Sequence, residues 1–153
     1  MMKILDEIIA HKRREVESNL LKHPIKELEK SVFFDRQTIS LKTAVQDKLK
    51  NGIIAEIKRK SPSKGIINHN VSVEEISQGY VSAGASAISV LTDVNYFGGS
   101  NEDLIKVRSL NNCPILRKDF IVDEYQLFEA KAIGADAILL IAGTLQVKRL
   151  KML

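Results

Sequence analysis

The sequence predicts an α/β fold, with a parallel sheet behind an N-terminal helical extension. Three observations predict it. From residue 51 onward, short apolar runs rich in β-branched residues alternate with helical stretches, the pattern of βαβ units whose sheet is covered on its faces. "AGASAISVL" (83–91) and "IGADAILLI" (133–141) echo each other, each leading from a helix end through "GA-x-A-I" into a strand, as a repeated βα architecture does. Residues 1–50 contain no such strand run and read as helical throughout.

Each element has its own signal. "KILDEIIAHKRREVESNLL" places apolar residues at Leu5, Ile8, Ile9, Val16 and Leu20, which is helical periodicity with a charged outer face. Pro24 breaks that helix. "IKELEKSVFF" and "ISLKTAVQDKLK" read as two further short helices, the second with Ser40 as its N-cap. Asn51-Gly52 then opens the strand-bearing part. "GIIAEIK" is the first strand, and "VSVEEISQGYVSAG" a helix stopped by Gly84. "SAISVLT" is the second strand, "NEDLIKVRSLNN" a helix and "CPILRKD" the third strand. "DEYQLFEAKAIG" is a helix stopped by Gly134, and "ADAILLIAG" is the fourth strand. "TLQVKRLKML" begins another helix. The division is residues 1–50 as extension and 51–153 as strand-bearing domain.

No G-x-G-x-x-G follows a strand and no G-x-x-x-x-G-K-[ST] is present, so dinucleotide and P-loop folds lack their phosphate turn. The other large parallel architecture is the (βα)8 barrel, which needs about 250 residues and eight strands. These 153 residues offer the first four strands of such a barrel.

Composition narrows the function classes. Lysine and arginine total 23 against 19 acidic residues, a net charge of +4, with no like-charge block. Aromatic residues are 5%, too few for a base-stacking surface, so nucleic acid is not an expected partner. An anionic small molecule suits the lysines. No apolar run is long enough to span a membrane, and the N-terminus lacks a signal-peptide core. Cys113 is the sole cysteine, so no disulfide or thiolate cluster can form within the chain, and a cytoplasmic location is expected. His11, His23 and His69 lack metal-ligand spacing; His69 and Cys113 read as structural or incidental.

In α/β folds the active face lies at the C-terminal ends of the strands, and polar residues gather there. The first strand ends in Glu56 and Lys58, then Ser61; the second in Thr92-Asp93 before "NYFGGS"; the third in Arg117, Lys118, Asp119 and Phe120; the fourth in Gly143-Thr144. Glu56 and Lys58, two apart, share one face of a strand. If buried they must pair. A salt bridge closing a strand and an anion-binding, proton-moving pair fit that spacing equally well. Lys118 reads either as a solvated lysine at a strand exit or as a site group. Phe97 and Phe120 read either as turn and exit residues or as walls of a ring pocket.

Taken together, "IIAEIKRKSPSKG", "AISVLTDVNYFGGS", "PILRKDFIVDEYQLFEAKAIGADAILLIAG" and "ILDEIIAHKRREV" resemble the indole-3-glycerol-phosphate synthase family, in order and at family-like spacing, from Ile4 to about Leu145. The resemblance implies a (βα)8 barrel with a helical extension over the active face. It implies a carboxy-lyase of tryptophan biosynthesis that closes the indole ring of a sugar-phosphate substrate, 1-(2-carboxyphenylamino)-1-deoxyribulose 5-phosphate, with loss of carbon dioxide and water. Lys118 matches the general acid at the substrate carbonyl. Glu56 matches the glutamate that contacts substrate hydroxyls and orients the lysines. Lys58 matches the lysine that meets substrate anionic groups and takes part in proton transfer. Ser61 matches a serine of the substrate site, and Phe97 and Phe120 match aromatics lining the anthranilate pocket. No organic cofactor or metal is implied. In that family a further glutamate after strand five and the phosphate-gripping loops after strands seven and eight complete the site. The chain is therefore expected to be a truncated form, inactive alone, and its open barrel edges predict either a homodimer that partly closes a barrel or a poorly soluble species. The alternatives are a non-catalytic half-barrel acting as a folding or interaction module, and another sugar-phosphate barrel enzyme such as phosphoribosylanthranilate isomerase, against which "KRKSPS" paired with "RKDF" argues.

Overall fold

A computed structural model describes residues 4–68 and 70–153; His69 lies outside them. The first helix, α1 (Ile4–Lys22), runs to the break at Pro24. It is followed by α2 (Ile25–Leu28) and α3 (Leu41–Gln46). The segment "IKELEKSVFF" forms only the four residues of α2, then turns. The hydroxyl of Ser31 donates to the carbonyl of Ala132 at 2.5 Å, and the ring of Phe34 stacks on Phe128, so tertiary contacts hold this stretch where a helix would otherwise continue. Ser40 caps α3, its hydroxyl oxygen accepting from the Thr43 N–H.

Four strands form one parallel sheet: β1 (Ile54–Ile57), β4 (Ala87–Leu91), β5 (Ile115–Lys118) and β6 (Ala137–Ile138), in the order β1-β4-β5-β6. A hairpin of β2 (Lys60–Ser61) and β3 (Gly65–Ile66) follows β1. The crossovers carry α4 (Val73–Ser82), the short α5 (Val94–Phe97), α6 (Asn101–Leu110) and α7 (Tyr125–Ala132), and α8 (Val147–Met152) closes the chain. Gly84 and Gly134 take positive φ just past α4 and α7, as helix-terminating glycines do. The result is a parallel α/β sheet in barrel order.

One face of this sheet makes the core. Ile57, Ile88, Val90 and Ile115 pack with Val73, Leu104, Val107 and Ala130 from α4, α6 and α7. The opposite face carries Glu56, Ser89 and Lys118. Period-two alternation places these residues there, and the register pairs Glu56 with Ser89 and Leu91 with Lys118.

The echoed segments share a structural job. The Ser86 hydroxyl accepts from the Gly52 N–H at 3.1 Å, and the Asp136 carboxylate accepts from the Ile115 N–H at 2.8 Å. In each, the variable residue of "GA-x-A-I" caps the backbone entering the neighbouring strand. β6 covers two residues of the predicted "ADAILLIAG" run; with β5 alone beside it among the described residues, its ladder is short.

Candidate active site

The lysine–carboxylate constellation is assembled by the sheet. The Lys118 Nζ lies 2.7 Å from Glu56 Oε2 and the Lys58 Nζ 3.0 Å from Glu56 Oε1. The Ser89 hydroxyl also donates to Glu56 Oε2, at 3.3 Å. Two ammonium groups thus share one carboxylate across β1, β4 and β5, and both keep about a third of their surface open, 35% for each lysine side chain. Burial pushes the Glu56 carboxyl up, but hydrogen bonds from Lys118 and Lys58 outweigh it and hold the group below the ordinary glutamate range. The site presents positive charge to solvent while Glu56 fixes where it points. Such an array can bind an anion and donate a proton to oxygen.

Lys58 stands one residue beyond the end of β1, on the same side as Glu56. Ser61 lies in the hairpin, not in an open loop. Its hydroxyl accepts from the Lys64 N–H at 3.3 Å and sits 3.5 Å from the Ser63 hydroxyl, so its hydrogen bonds run within the hairpin rather than to Glu56 or the lysines. The rings of Phe97 and Phe120 do come together, with centroids 5.9 Å apart and planes tilted by 40°. Phe97 ends α5, whose start is capped by the Asp93 carboxylate accepting from the Tyr96 and Phe97 N–H groups at 2.7 and 3.2 Å. Gly98, at φ 64°, lies against the Lys60 side chain.

Behind this face is a buried charge network that the sequence did not reveal. Arg117 points to the helix side of β5. Its guanidinium lies 2.5 Å from Glu129 Oε2 on α7 and 3.2 Å from Asp119 Oδ2, and its Nε donates to the Thr92 hydroxyl at 3.1 Å. Lys12 of α1 is fully buried and lies 3.0 Å from Asp119 Oδ1 and 3.1 Å from Asp93 Oδ2. Burial alone would lower the Lys12 pKa, but Asp119, Asp93 and Glu15 outweigh it and raise the value. Burial likewise pushes Asp119 up, and Arg117 and Lys12 hold it below the usual range. The outer-face reading of α1 therefore fails at Lys12. Its signal was present: Lys12 continues the stripe Leu5, Ile8, Ile9 and Val16, where an apolar residue was due.

Through this network α1 crosses the C-terminal ends of β4 and β5, while α3 lies near the opposite end of the sheet, its Val45 carbonyl beside Gly52. Among the described residues no group of three or more His, Cys, Asp or Glu is placed to hold a metal. No described helix is long and apolar enough to cross a membrane.

A parallel sheet with its helices on one face, and a lysine pair bridged by a carboxylate at the strand ends on the other, defines an α/β-barrel-type chain with its polar site at the barrel mouth. A family model for indole-3-glycerol phosphate synthase matches residues 5–153, and the chain belongs to that family. It is similar to the indole-3-glycerol phosphate synthase of Bacteroides thetaiotaomicron, 48% identical over 149 residues, covering 97% of this chain and 57% of that protein. The synthase of Carboxydothermus hydrogenoformans is 45% identical over 153 residues, covering 96% and 58%. That of Polynucleobacter asymbioticus is 42% identical over 158 residues, covering 98% and 59%. The chain spans between a half and two thirds of the length of these relatives.

Proposed function

We propose that this chain carries the proton-donating and ring-binding part of an indole-3-glycerol-phosphate synthase site, with 1-(2-carboxyphenylamino)-1-deoxyribulose 5-phosphate as substrate. The single observation that carries the reading is Glu56 held between Lys118 and Lys58. Ring closure by attack of an aryl carbon on a carbonyl builds negative charge on the carbonyl oxygen, which a positioned ammonium can protonate. In this reading Lys118 donates that proton. Glu56 orients both lysines and meets substrate hydroxyls, and Lys58 faces the substrate's anionic groups and moves a proton. Ser61 borders the substrate from the hairpin. The paired rings of Phe97 and Phe120 flank the anthranilate ring. Residues 1–50 act as an extension that braces the barrel part, 51–153.

The relatives extend well beyond the span matched here. Turnover is therefore proposed to need the remaining strands. The assay is formation of indole-3-glycerol phosphate by the chain alone and by the chain mixed with the complementary C-terminal segment of the Bacteroides thetaiotaomicron protein. Turnover is expected only in the mixture, and Lys118→Met should abolish it while substrate affinity is largely kept. Persistent turnover in that variant would overturn the general-acid role.

A second reading is favoured by the sheet edges. Among the described residues β1 and β6 each have one strand neighbour, and Ile53 and Ile54 beside the β1 edge are exposed. Open edges with apolar flanks promote pairing, so the chain alone is proposed to associate with a second copy as a non-catalytic half-barrel. Light scattering on the eluting peak in size-exclusion chromatography tests it. A stable monomer would count against self-pairing.

A further inference from the structure

We propose that Lys12 is a positioning residue, a buried ammonium on α1 that holds together the two loops carrying Phe97 and Phe120. The inference rests on the reading above, in which those rings and Lys118 belong to the site.

The ammonium donates a hydrogen bond to Glu15 Oε1 at 2.8 Å and forms ion pairs with Asp119 Oδ1 at 3.0 Å and Asp93 Oδ2 at 3.1 Å. Lys12, Asp93 and Asp119 are all buried. The two aspartates hold the ends of the aromatic loops. Asp93 Oδ1 accepts from the Phe97 N–H, and Asp119 Oδ1 accepts from the Phe120 N–H at 2.8 Å. Asp119 also directly follows Lys118 in the chain. Lys12 thus contacts neither Glu56 nor Lys118, yet it fixes the carboxylates that set the backbone beside each ring.

The two loops do not depend on it equally. Asp119 keeps Arg117 and the Thr92 hydroxyl on Oδ2. Among the described residues Asp93 Oδ2 has no hydrogen-bond donor, and it is held by the ion pair to Lys12. Without the ammonium no cation bridges the two loops: the Asp93 and Asp119 carboxylates repel in a buried site, and an uncharged group in place of the Asp93 carboxylate leaves nothing to draw the loops together. The Asp93 loop, and Phe97 with it, is the part that moves.

Further contacts tie α1 to the same loop. The Tyr96 hydroxyl donates to Glu7 at 3.1 Å, and the Asn95 amide lies 2.7 Å from the His11 ring nitrogen. These exposed contacts accompany the buried one and do not replace its charge.

The test uses two variants of the whole chain. Lys12→Met removes the ammonium. Lys12→Met with Asp93→Asn removes the ammonium and the charge it neutralised, while the asparagine oxygen can still cap α5. The measurement is the nuclear Overhauser effect between the Phe97 and Phe120 rings, in deuterated protein with protonated phenylalanine. The wild type should show the ring-to-ring signal, and both variants should lose it while keeping a cooperative melt. A signal retained in the folded double variant, a wild type without it, or two variants that both fail to fold would overturn the proposal.

Substrate affinity, followed by the fluorescence of its aminobenzoate ring, separately judges the functional reading. Loss of one well-placed aromatic contact should weaken binding by about tenfold in the double variant. A wild type that shows the ring signal but binds no substrate would sink the functional reading and leave the positioning role standing.

Discussion

Replacing Asp136 with alanine should be among the most damaging single changes in this chain. The carboxylate is fully buried and receives four donors. Arg36 Nη2 and the Ile39 N–H reach Oδ1 at 2.6 and 2.7 Å, and Arg108 Nη1 and the Ile115 N–H reach Oδ2 at 2.7 and 2.8 Å. Arg108 is 3% exposed at its side chain. Burial already pulls its pKa below the ordinary arginine value, against the pull of Asp136. Removing the partner of such a charge costs about 3–5 kcal/mol. Each orphaned buried N–H adds about 1–3 kcal/mol, whereas the more exposed Arg36 pair contributes about 1 kcal/mol or less. These effects overlap, because Arg108 keeps the carbonyls of Asn111 and Cys113, and a net loss of about 4–6 kcal/mol is expected. Asp136→Asn keeps one acceptor and the shape, so about half that loss is expected. Urea unfolding followed by far-ultraviolet circular dichroism measures both at a shared slope. An alanine variant that loses less than about 1 kcal/mol would refute the reasoning.

Three further outcomes follow from the same geometry. Gly99→Ala should destabilise by about 2 kcal/mol or more, because its Cβ would lie 2.0 Å from the Leu91 carbonyl oxygen, and backbone cannot step aside as a side chain can. Gly79→Ala, inside α4 with nothing within 4 Å of the new Cβ, should instead stabilise by up to about 1 kcal/mol; thermal melts of the pair read the opposite signs, and equal signs would count against the packing described. The third concerns acid. Glu56 and Asp119 both have carboxyl pKa values held below normal in the folded chain, so the unfolded chain takes up protons first. Their contribution is complete above about pH 4.5 and is lost as pH falls through their lowered values. The melting temperature should therefore drop below about pH 4.5, and Glu56→Gln should flatten part of that drop; a curve unchanged by the substitution would argue against a stabilising role for the two lysine contacts.

What the sequence disclosed, and what it hid, divides along a physical line. Strand–helix alternation survives because each strand buries one whole face, so Ile57, Ile88, Val90 and Ile115 leave a readable apolar record. Glu56 and Lys58 are readable as a same-face pair because they end an apolar strand two residues apart, whereas Lys118, between Arg117 and Asp119, stays open between a solvated lysine and a site group until the resemblance is considered. Lys12 was hidden by the rule that lysines face water, which holds until two buried carboxylates from distant loops supply the solvation. Asp136 passed as a variable letter in a repeat. Its four donors come from residues 36, 39, 108 and 115, which no local pattern connects. The hairpin at Lys60–Ile66 leaves no sequence signal because its strands are two residues each, too short for alternation to register.

The strand order β1-β4-β5-β6 has a consequence for amide exchange with deuterated solvent. In a parallel ladder the successive N–H groups of a strand point in turn to its two neighbours. Along β4 and β5, which are flanked on both sides, every amide should therefore exchange slowly. Along β1 and β6 slow and fast amides should alternate, residue by residue, because among the described residues each has one neighbour. A strand laid against either edge, from a second copy or from a complementary segment, would slow the fast set on that strand alone, so the exchange pattern would report which edge is occupied.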